Sequence, residues 1–346
     1  MNIPRRFTLL CIFLTAILTS GGAVFAQSPE EFYRGKTLTL IVSADAGTLT
    51  DTLVRQFAPV FAKHIPGNPE PVVMNVAGAG GMVAAASLQT SQDNDGTVIG
   101  FLQRNNLYTS LLDPTQNNFD PRQVRWLGSL DKVNYALVAM TRTGVTSAED
   151  LLKDSLVIGA TGFTNENRIL PALLNEYAGT KMKIVPGYTG RGEVYLAMQR
   201  NEVDGWASTL DGLKKGEPAR MLSDGKMKVL LNLDWGNRSD FPNVPNLSDY
   251  ITKPEVKALF NFFLLPFEAG RPIAVPKGVP QDRLDALRTA FTKAISDPEF
   301  IATMKKQGTP IDAIDGDAVE RVVDKLYSTP DSVIKKARKA RNYNPM

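Results

Sequence analysis

The chain has 346 residues, 43% of them hydrophobic, and a formal net charge of +3 at pH 7. This composition can supply a large core, and the near-neutral charge lacks the basic surface typical of nucleic-acid-binding proteins. With Cys11 as the one cysteine and His64 as the one histidine, internal disulfides and metal sites built on several cysteines or histidines are excluded.

Residues 1–26 have the three parts of a secretory signal peptide. Arg5 and Arg6 precede a short apolar run, and Val24-Phe25-Ala26 forms the cleavage site. The apolar run is shorter than the roughly 20 residues that cross a membrane, although a retained anchor is the alternative. We therefore expect a periplasmic protein that begins near Gln27 and has a net charge of +1, because two arginines and no acid are removed.

After the signal peptide, short β-rich runs alternate with helical patterns, which predicts an α/β fold with mostly parallel sheets. Each predicted strand ends in a loop of small or polar residues. The first series has strands 36–42, 72–76 and 97–102, a helix over 51–63 and another through 87, and loops 43–50, 78–81 and 103–106. The second has strands 156–160, 183–185, 205–208 and 228–233, helices 166–178 and 193–200, and loops 161–165 and 187–192.

The run Phe260–Leu265 is then predicted to be a strand that returns to the first series, followed by helices over 283–295 and from Pro298 onward. The sequence thus predicts two α/β lobes, of which lobe 1 combines residues 27–132 with 261–346 and lobe 2 comprises residues 133–260. In open α/β sheets, ligands bind beyond the carboxyl ends of the strands. We therefore expect the strand-end loops of both lobes to face one cleft.

The glycine-rich loop Gly78-Ala79-Gly80-Gly81 lies between a predicted strand and a predicted helix. Free N–H groups at a helix N-terminus bind anions, so this loop is a candidate carboxylate site. A tight turn without a ligand is the plain structural alternative. A dinucleotide-binding loop is the other, although Val83 stands where the third glycine of that motif belongs.

The matching loop of the second lobe, Thr161–Asn165, offers hydroxyl and amide groups at a helix start. Such groups either cap the helix or bind an anion. After the third strand, the guanidinium of Arg104 is suited to gripping a carboxylate, and a salt bridge within lobe 1 is the alternative. Asp51, in the first turn of a helix, either braces its loop or meets ligand through water.

The usual catalytic arrangements are absent from the sequence. It has no G-x-S-x-G motif, and His64 precedes Pro66 at the end of an early helix, where a surface or capping role is favoured over chemistry. No acidic cluster indicates a carboxylate metal site. We therefore expect no enzyme activity, no metal and no cofactor.

Several motifs, in order along nearly the whole chain, resemble those of the extracytoplasmic solute receptors of tripartite tricarboxylate transporters, the Bug-type binding proteins. The motifs are Thr50-Asp51, Val76–Gly81, Asp95-Gly96-Thr97, Gly187–Gly190, Asn201–Gly205, Phe241–Pro245, Ala274–Pro280 and Asp297-Pro298. The resemblance implies a two-lobed periplasmic-binding-protein fold of the second type, which closes around a small carboxylate like a flytrap. It further implies that first-lobe N–H groups hold the carboxylate, often through water.

Two departures from the family pattern affect the expected pocket. Ala46-Gly47-Thr48-Leu49 replaces paired glycines, and Arg104-Asn105-Asn106 is bulkier and more charged than the small residues usual there. The ligand's identity therefore cannot be copied from the family. The candidate ligand-binding residues are Gly47, Thr48, Thr50, Asp51, Gly80, Gly81, Arg104 and Asn105 in lobe 1, and Thr161, Thr164, Asn165 and Tyr188 in lobe 2.

The resulting hypothesis is a monomeric periplasmic receptor that captures a small organic acid by lobe closure and delivers it to the membrane permease subunits of a tripartite transporter, with no nucleic-acid partner. A periplasmic sensing subunit that signals to a membrane sensor kinase is the alternative. A secreted nucleotide-dependent enzyme is the third possibility, and NADP binding would distinguish it.

Overall fold

A computed structural model describes residues 27–342, with the exceptions of 114, 116–117, 163–164, 237–240 and 310. The predicted signal peptide, residues 1–26, and the candidate Thr164 lie outside the described residues. The strands form two sheets. In chain order they are β1 (Thr37–Val42), β2 (Glu70–Asn75), β3 (Val98–Phe101), β4 (Val124–Ser129), β5 (Tyr135–Met140), β6 (Leu156–Gly159), β7 (Met182–Val185), β8 (Gly205–Thr209), β9 (Met227–Asn232), β10 (Pro272–Pro276) and β11 (Ile314–Asp315).

The first sheet has the strand order β11-β4-β10-β3-β1-β2, and the second has the order β7-β6-β8-β5-β9. Strands β1, β2 and β3 are parallel, as are β6, β7 and β8. However, β10 runs antiparallel to β3 and β4, and β5 runs antiparallel to β8 and β9. The sheets are therefore mixed rather than mostly parallel, because the strands next to the crossings between sheets run against their neighbours.

The helices cover both sheets, and the N-termini of several of them face the candidate functional site. They are α1 (Pro29–Tyr33), α2 (Leu49–His64), α3 (Met82–Gln89), α4 (Asn106–Leu112), α5 (Asp150–Lys153), α6 (Glu166–Ala178), α7 (Arg191–Gln199), α8 (Leu210–Leu213), α9 (Gly216–Ser223), α10 (Pro254–Leu264), α11 (Gln281–Ile295), α12 (Pro298–Lys306), α13 (Gly316–Tyr327) and α14 (Asp331–Asn342). No helix of the described residues is long and apolar enough to cross a membrane.

The predicted strand at Phe260–Leu265 is wrong. Residues 254–264 form α10, which Pro254 opens at a position where proline favours a helix. Val256, Leu259, Phe260 and Phe263 are buried at helical spacing. The apolar run in the sequence is too short to reveal this helical spacing. The strand that returns to the first sheet is β10 instead.

One apolar cluster combines buried residues of both sheets and of the helices packed on them. It includes Trp126 of β4, Leu137 of β5 and Phe263 of α10. A second cluster around Phe57 lies on the other face of the first sheet, where Phe61, Phe101 and Phe291 belong to the same aromatic group. The chain crosses between the sheets after β4 and again after β9, and the predicted lobe limits stay a prediction.

Candidate functional site

The carboxyl ends of strands from both sheets meet at a cavity of about 490 Å³. This position matches the expectation for ligand sites in α/β folds. Loops of the first sheet form its first wall, and loops of the second sheet form its second wall. The lining residues are Ser43, Ala44, Asp45, Thr48, Ala77, Gly78, Ala79, Gly80, Gly81, Met82, Gln103, Thr109, Thr161, Gly162, Asn165, Tyr188 and Thr189.

The glycine-rich loop owes its shape to four successive residues with positive φ. Gly78, Ala79, Gly80 and Gly81 have φ values of 122°, 47°, 63° and 90°. A side chain at Gly81 would meet Gln103 Cγ at 2.6 Å, so both the backbone and the space require glycine there. The Gly81 N–H donates to the Gly78 carbonyl at 2.9 Å, and the Met82 N–H donates to the Ala79 carbonyl. The loop ends at α3, whose dipole directs its positive end toward the cavity.

Two asparagines hold this loop from behind. The side-chain amides of Asn105 and Asn106 both donate to the Gly80 carbonyl, at 3.0 and 3.1 Å. Asn105 is buried and does not line the cavity. Its role in this structure is to fix the Gly80 carbonyl and, through it, the shape of the loop.

The loop after β1 is braced by Asp51. Its carboxylate accepts from the Gly47 N–H at 2.8 Å and from Asn75 Nδ2 at 2.9 Å, and Arg55 Nε lies 3.0 Å away. Burial favours the neutral acid, but these donors hold the pKa of Asp51 below its ordinary value. Thr48 caps α2 by accepting from the Asp51 N–H at 3.3 Å. The Gly47 N–H and the Asp51 carboxylate are thus already paired.

On the second wall, Asn165 occupies the N-cap position of α6 without a side-chain capping bond. Its amide instead donates to Thr161 Oγ1 at 2.7 Å. Asn167 contacts the same hydroxyl, with Nδ2 at 2.9 Å, and accepts from the Thr161 N–H at 3.2 Å. Asn165 and Thr161 are therefore held as one polar unit at the cavity edge, and capping does not explain Asn165.

Tyr188 is half-buried on the same wall, and its backbone N–H donates to the Ala160 carbonyl at 3.2 Å. Burial, followed by the negative charges of Glu202 and Glu193, raises the pKa of the Tyr188 hydroxyl, so it stays a neutral donor at physiological pH. Next to it, Thr189 donates from its N–H and hydroxyl to Glu193, at 2.6 and 2.8 Å.

Four helices begin at this cavity. Thr48, Gly81 and Asn165 are the N-cap residues of α2, α3 and α6, and Thr189 precedes the N-cap of α7. Among the described residues that line the cavity, none is lysine, arginine or histidine, and Asp45 is the one acid. An anion in this cavity would therefore be held by helix N-termini, hydroxyls and amides rather than by cationic side chains.

The four helix starts differ in their charge. Asp51, Glu166 and Glu193 stand in the first turns of α2, α6 and α7, whereas the first turn of α3 has no acid. A carboxylate in the first turn already satisfies part of the helix dipole. The start of α3 at Gly80 and Gly81 is thus the most available anion site in the cavity.

Arg104 lies behind the cavity and not in its lining. Its Nη2 is 3.2 Å from Glu166 Oε2, it donates to the Tyr135 hydroxyl, and its guanidinium lies 5.3 and 5.5 Å from the rings of Tyr135 and Phe267. Burial is the largest single influence and favours loss of the charge, but Glu166, Tyr135, Tyr108 and Asp211 together outweigh it and raise the pKa of Arg104. The salt bridge joins a loop of the first sheet to α6 of the second sheet. It therefore differs from the alternative considered for Arg104, a salt bridge within lobe 1.

The cavity brings together half of the twelve predicted site residues: Thr48, Gly80, Gly81, Thr161, Asn165 and Tyr188. Five others lie outside its lining, namely Gly47, Thr50, Asp51, Arg104 and Asn105, and Thr164 is outside the described residues. Sequence reasoning missed Ser43, which follows β1 directly, and Gln103, which lies two residues after the end of β3. Their position at strand ends was the available signal, but they have no motif of their own.

Ser43 is notable because it is 2% exposed, lines the cavity, and its hydroxyl has no hydrogen-bond partner in the described part of the chain. Buried polar groups usually have partners. Its carbonyl accepts from Gln103 Nε2 at 2.8 Å, which ties the two missed residues together. An unpaired hydroxyl at a cavity wall is a candidate ligand contact.

Comparison with known proteins identifies the family. The model of the tripartite tricarboxylate transporter family receptor matches residues 53–338. The chain belongs to this receptor family. A curated relative from Agrobacterium vitis, the UPF0065 protein in the TAR-I ttuE-ttuC' intergenic region, is 23% identical over 315 residues, which cover 86% of this chain and 82% of the relative.

Solved structures of periplasmic binding proteins share the fold of this receptor. BugD aligns with a TM-score of 0.67 and 19% identity, covering 89% of this chain and 98% of its own. MatC from Rhodopseudomonas palustris with bound malate gives 0.62 and 19%, covering 88% and 99%. An R. palustris protein with adipate gives 0.67 and 17%, covering 90% and 99%. These alignments confirm the predicted two-lobed α/β fold.

Proposed function

We propose that this receptor binds a small organic acid in the cavity between the two sheets and delivers it to the permease of a tripartite transporter in the periplasm. The observation that carries the proposal is the convergence of four helix N-termini on one cavity of about 490 Å³. Helix N-termini attract carboxylates through both their free N–H groups and their dipoles.

The acid-free start of α3 is the proposed position of the ligand carboxylate. Gly80 and Gly81 leave the backbone uncovered there, and Asn105 and Asn106 fix the loop from behind. Thr48 and the Ser43 hydroxyl lie on the same wall, while Thr161, Asn165 and Tyr188 face them from the second sheet. A ligand that touches both walls favours closure, because only the closed form makes both sets of contacts.

Two structural neighbours support the chemical class. One holds malate and another holds adipate, both of them dicarboxylates. The chain is 19% and 17% identical to these two proteins, so the particular acid is a question for experiment.

A thermal-shift screen tests the proposal on the chain from residue 27 onward, after unfolding and refolding to remove any carried-over ligand. The panel is malate, adipate, citrate, glutamate, benzoate and NADP. A ligand at 100 times its dissociation constant adds about 2.7 kcal/mol to the free energy of unfolding, which raises the melting temperature by several degrees. A dose-dependent shift with an acid supports the proposal, whereas a shift with NADP alone contradicts it.

A further inference from the structure

The Arg104–Glu166 pair lies next to the cavity and combines two buried charges from the two halves of the site. The side chains are 17% and 3% exposed, and Arg104 follows β3 while Glu166 is the first residue of α6. Tyr108 of α4 donates to the other carboxylate oxygen of Glu166 at 3.1 Å. Glu166 is therefore held from the first-sheet side by one cation and one hydroxyl.

The position of Glu166 allows the charge of this pair to affect the binding of an anionic ligand. Its chain neighbour Asn165 lines the cavity, so the carboxylate stands at the helix start that faces a bound molecule. An unpaired carboxylate there would repel an anion and occupy the positive end of the helix dipole. In a partly buried setting such charges are weakly screened by salt.

Arg104 itself points away from the cavity contacts. Its guanidinium is directed at Glu166 and the Tyr135 hydroxyl and packs against the rings of Tyr135 and Phe267, and it does not line the cavity. Phe267 and Tyr135 stack on each other at 5.0 Å, so the arginine rests on a fixed aromatic surface. The Nη2 group is already bonded to Tyr135 and Glu166 and would have to leave these partners to grip a ligand carboxylate.

We propose that Arg104 is a positioning residue that sets the affinity for an acid by neutralising the Glu166 carboxylate, without touching the ligand. This inference rests on the proposed function. It differs from the sequence-based expectation, in which Arg104 is the direct counter-charge of the ligand.

A double-mutant cycle separates the two roles, with affinity measured by calorimetry for the panel acid that binds the unmodified chain most tightly. Arg104→Met alone should lower the affinity at least tenfold, because the negative charge of Glu166 beside the cavity then has no neighbouring cation. Arg104→Met combined with Glu166→Gln should return the affinity to within about threefold of the unmodified chain, a rescue that loss of a direct contact would not permit. Should the single variant fail to fold, the double variant compared with the unmodified chain decides the question.

Arg288→Met is the matched control, because Arg288 pairs with Asp317 and Glu320, at 3.0 and 2.8 Å, on residues that do not line the cavity. It should leave acid affinity unchanged. A double variant as weak as Arg104→Met would overturn the inference and make Arg104 a direct ligand contact. If the unmodified chain binds no acid of the panel, the proposed function fails first, which is a different result from weak binding by the double variant.

Discussion

On the first wall of the cavity, α3 begins with glycines and has no acid in its first turn, whereas on the second wall α6 and α7 begin with Glu166 and Glu193 close to their starts. Both walls present helix N-termini, but the second has its own negative charges. Glu166 of α6 pairs with Arg104, and Glu193 of α7 accepts from the Thr189 N–H. An external anion therefore has most to gain at the start of α3, which has no acid. The second wall, with its amides and hydroxyls, is suited to hydrogen bonding.

The largest expected effect comes from breaking the charge balance of the second wall. Glu166→Ala leaves the Arg104 guanidinium without its carboxylate, and loss of one partner of a buried pair costs about 3 kcal/mol of unfolding free energy. Urea unfolding of the refolded chain measures it. Glu193→Ala, which removes an acid from an exposed helix start, is the control and should change the unfolding free energy little. Equal effects of the two substitutions would contradict the distinction drawn between α6 and α7.

The next largest effect is expected from a change in the backbone of the first wall. Gly81→Ala should lower the unfolding free energy by about 2 kcal/mol, because φ is 90° there and the new methyl group meets Gln103 Cγ at 2.6 Å. It should also weaken acid binding, since the N–H groups of the loop move. Gly144→Ala, at φ 78° with open space around it, should show a smaller loss of stability and unchanged affinity. Unfolding curves and calorimetric titrations of both variants decide the matter.

A charge placed on the first wall should remove the difference between the walls. Val83, in the first turn of α3, is 47% exposed, so Val83→Asp can be accommodated. The helix dipole stabilises the new carboxylate, so we expect no loss of thermal stability. Because the carboxylate competes with an anionic ligand, we expect about fivefold weaker acid binding, near 1 kcal/mol. Val83→Asn is the uncharged control. Equal binding by both variants would show that the α3 dipole does not hold the acid.

The glycine-rich loop was predictable from sequence because its cause is local. A strand, several glycines and a helix in succession require a turn with positive φ, which Gly78, Gly80 and Gly81 provide. The same holds for Thr161 and Asn165 before α6. Element types were likewise predictable where the apolar period was long, as in α11, and failed at Phe260–Leu265, where six residues cannot distinguish a strand from a buried helix.

The parts that sequence could not supply depend on contacts between distant segments. Arg104 and Glu166 are 62 residues apart and meet only because two sheets come together, so their pairing has no local pattern. The unpaired state of the Ser43 hydroxyl is a property of the packed structure. The sequence therefore suggested Arg104 as a ligand contact but could not show that its partner is Glu166.

The smallest expected effect concerns that hydroxyl and the way the first wall binds. Ser43→Ala removes a buried group with no partner in the described part of the chain, so the unfolding free energy should stay the same or rise slightly. If the hydroxyl bonds to the acid, affinity falls by about fivefold, which corresponds to a net hydrogen bond of about 1 kcal/mol. Ser208→Ala is the matched control.

Ser208 is fully buried, and its hydroxyl lies 3.0 Å from the Tyr195 hydroxyl, away from the cavity lining. Its loss should lower stability and leave affinity unchanged, the opposite pattern to Ser43→Ala. Calorimetric titration and thermal unfolding of the two variants give both quantities. A loss of stability in Ser43→Ala with unchanged affinity would assign the hydroxyl to the fold, and the N–H groups of the glycine-rich loop would then be the principal donors of the first wall.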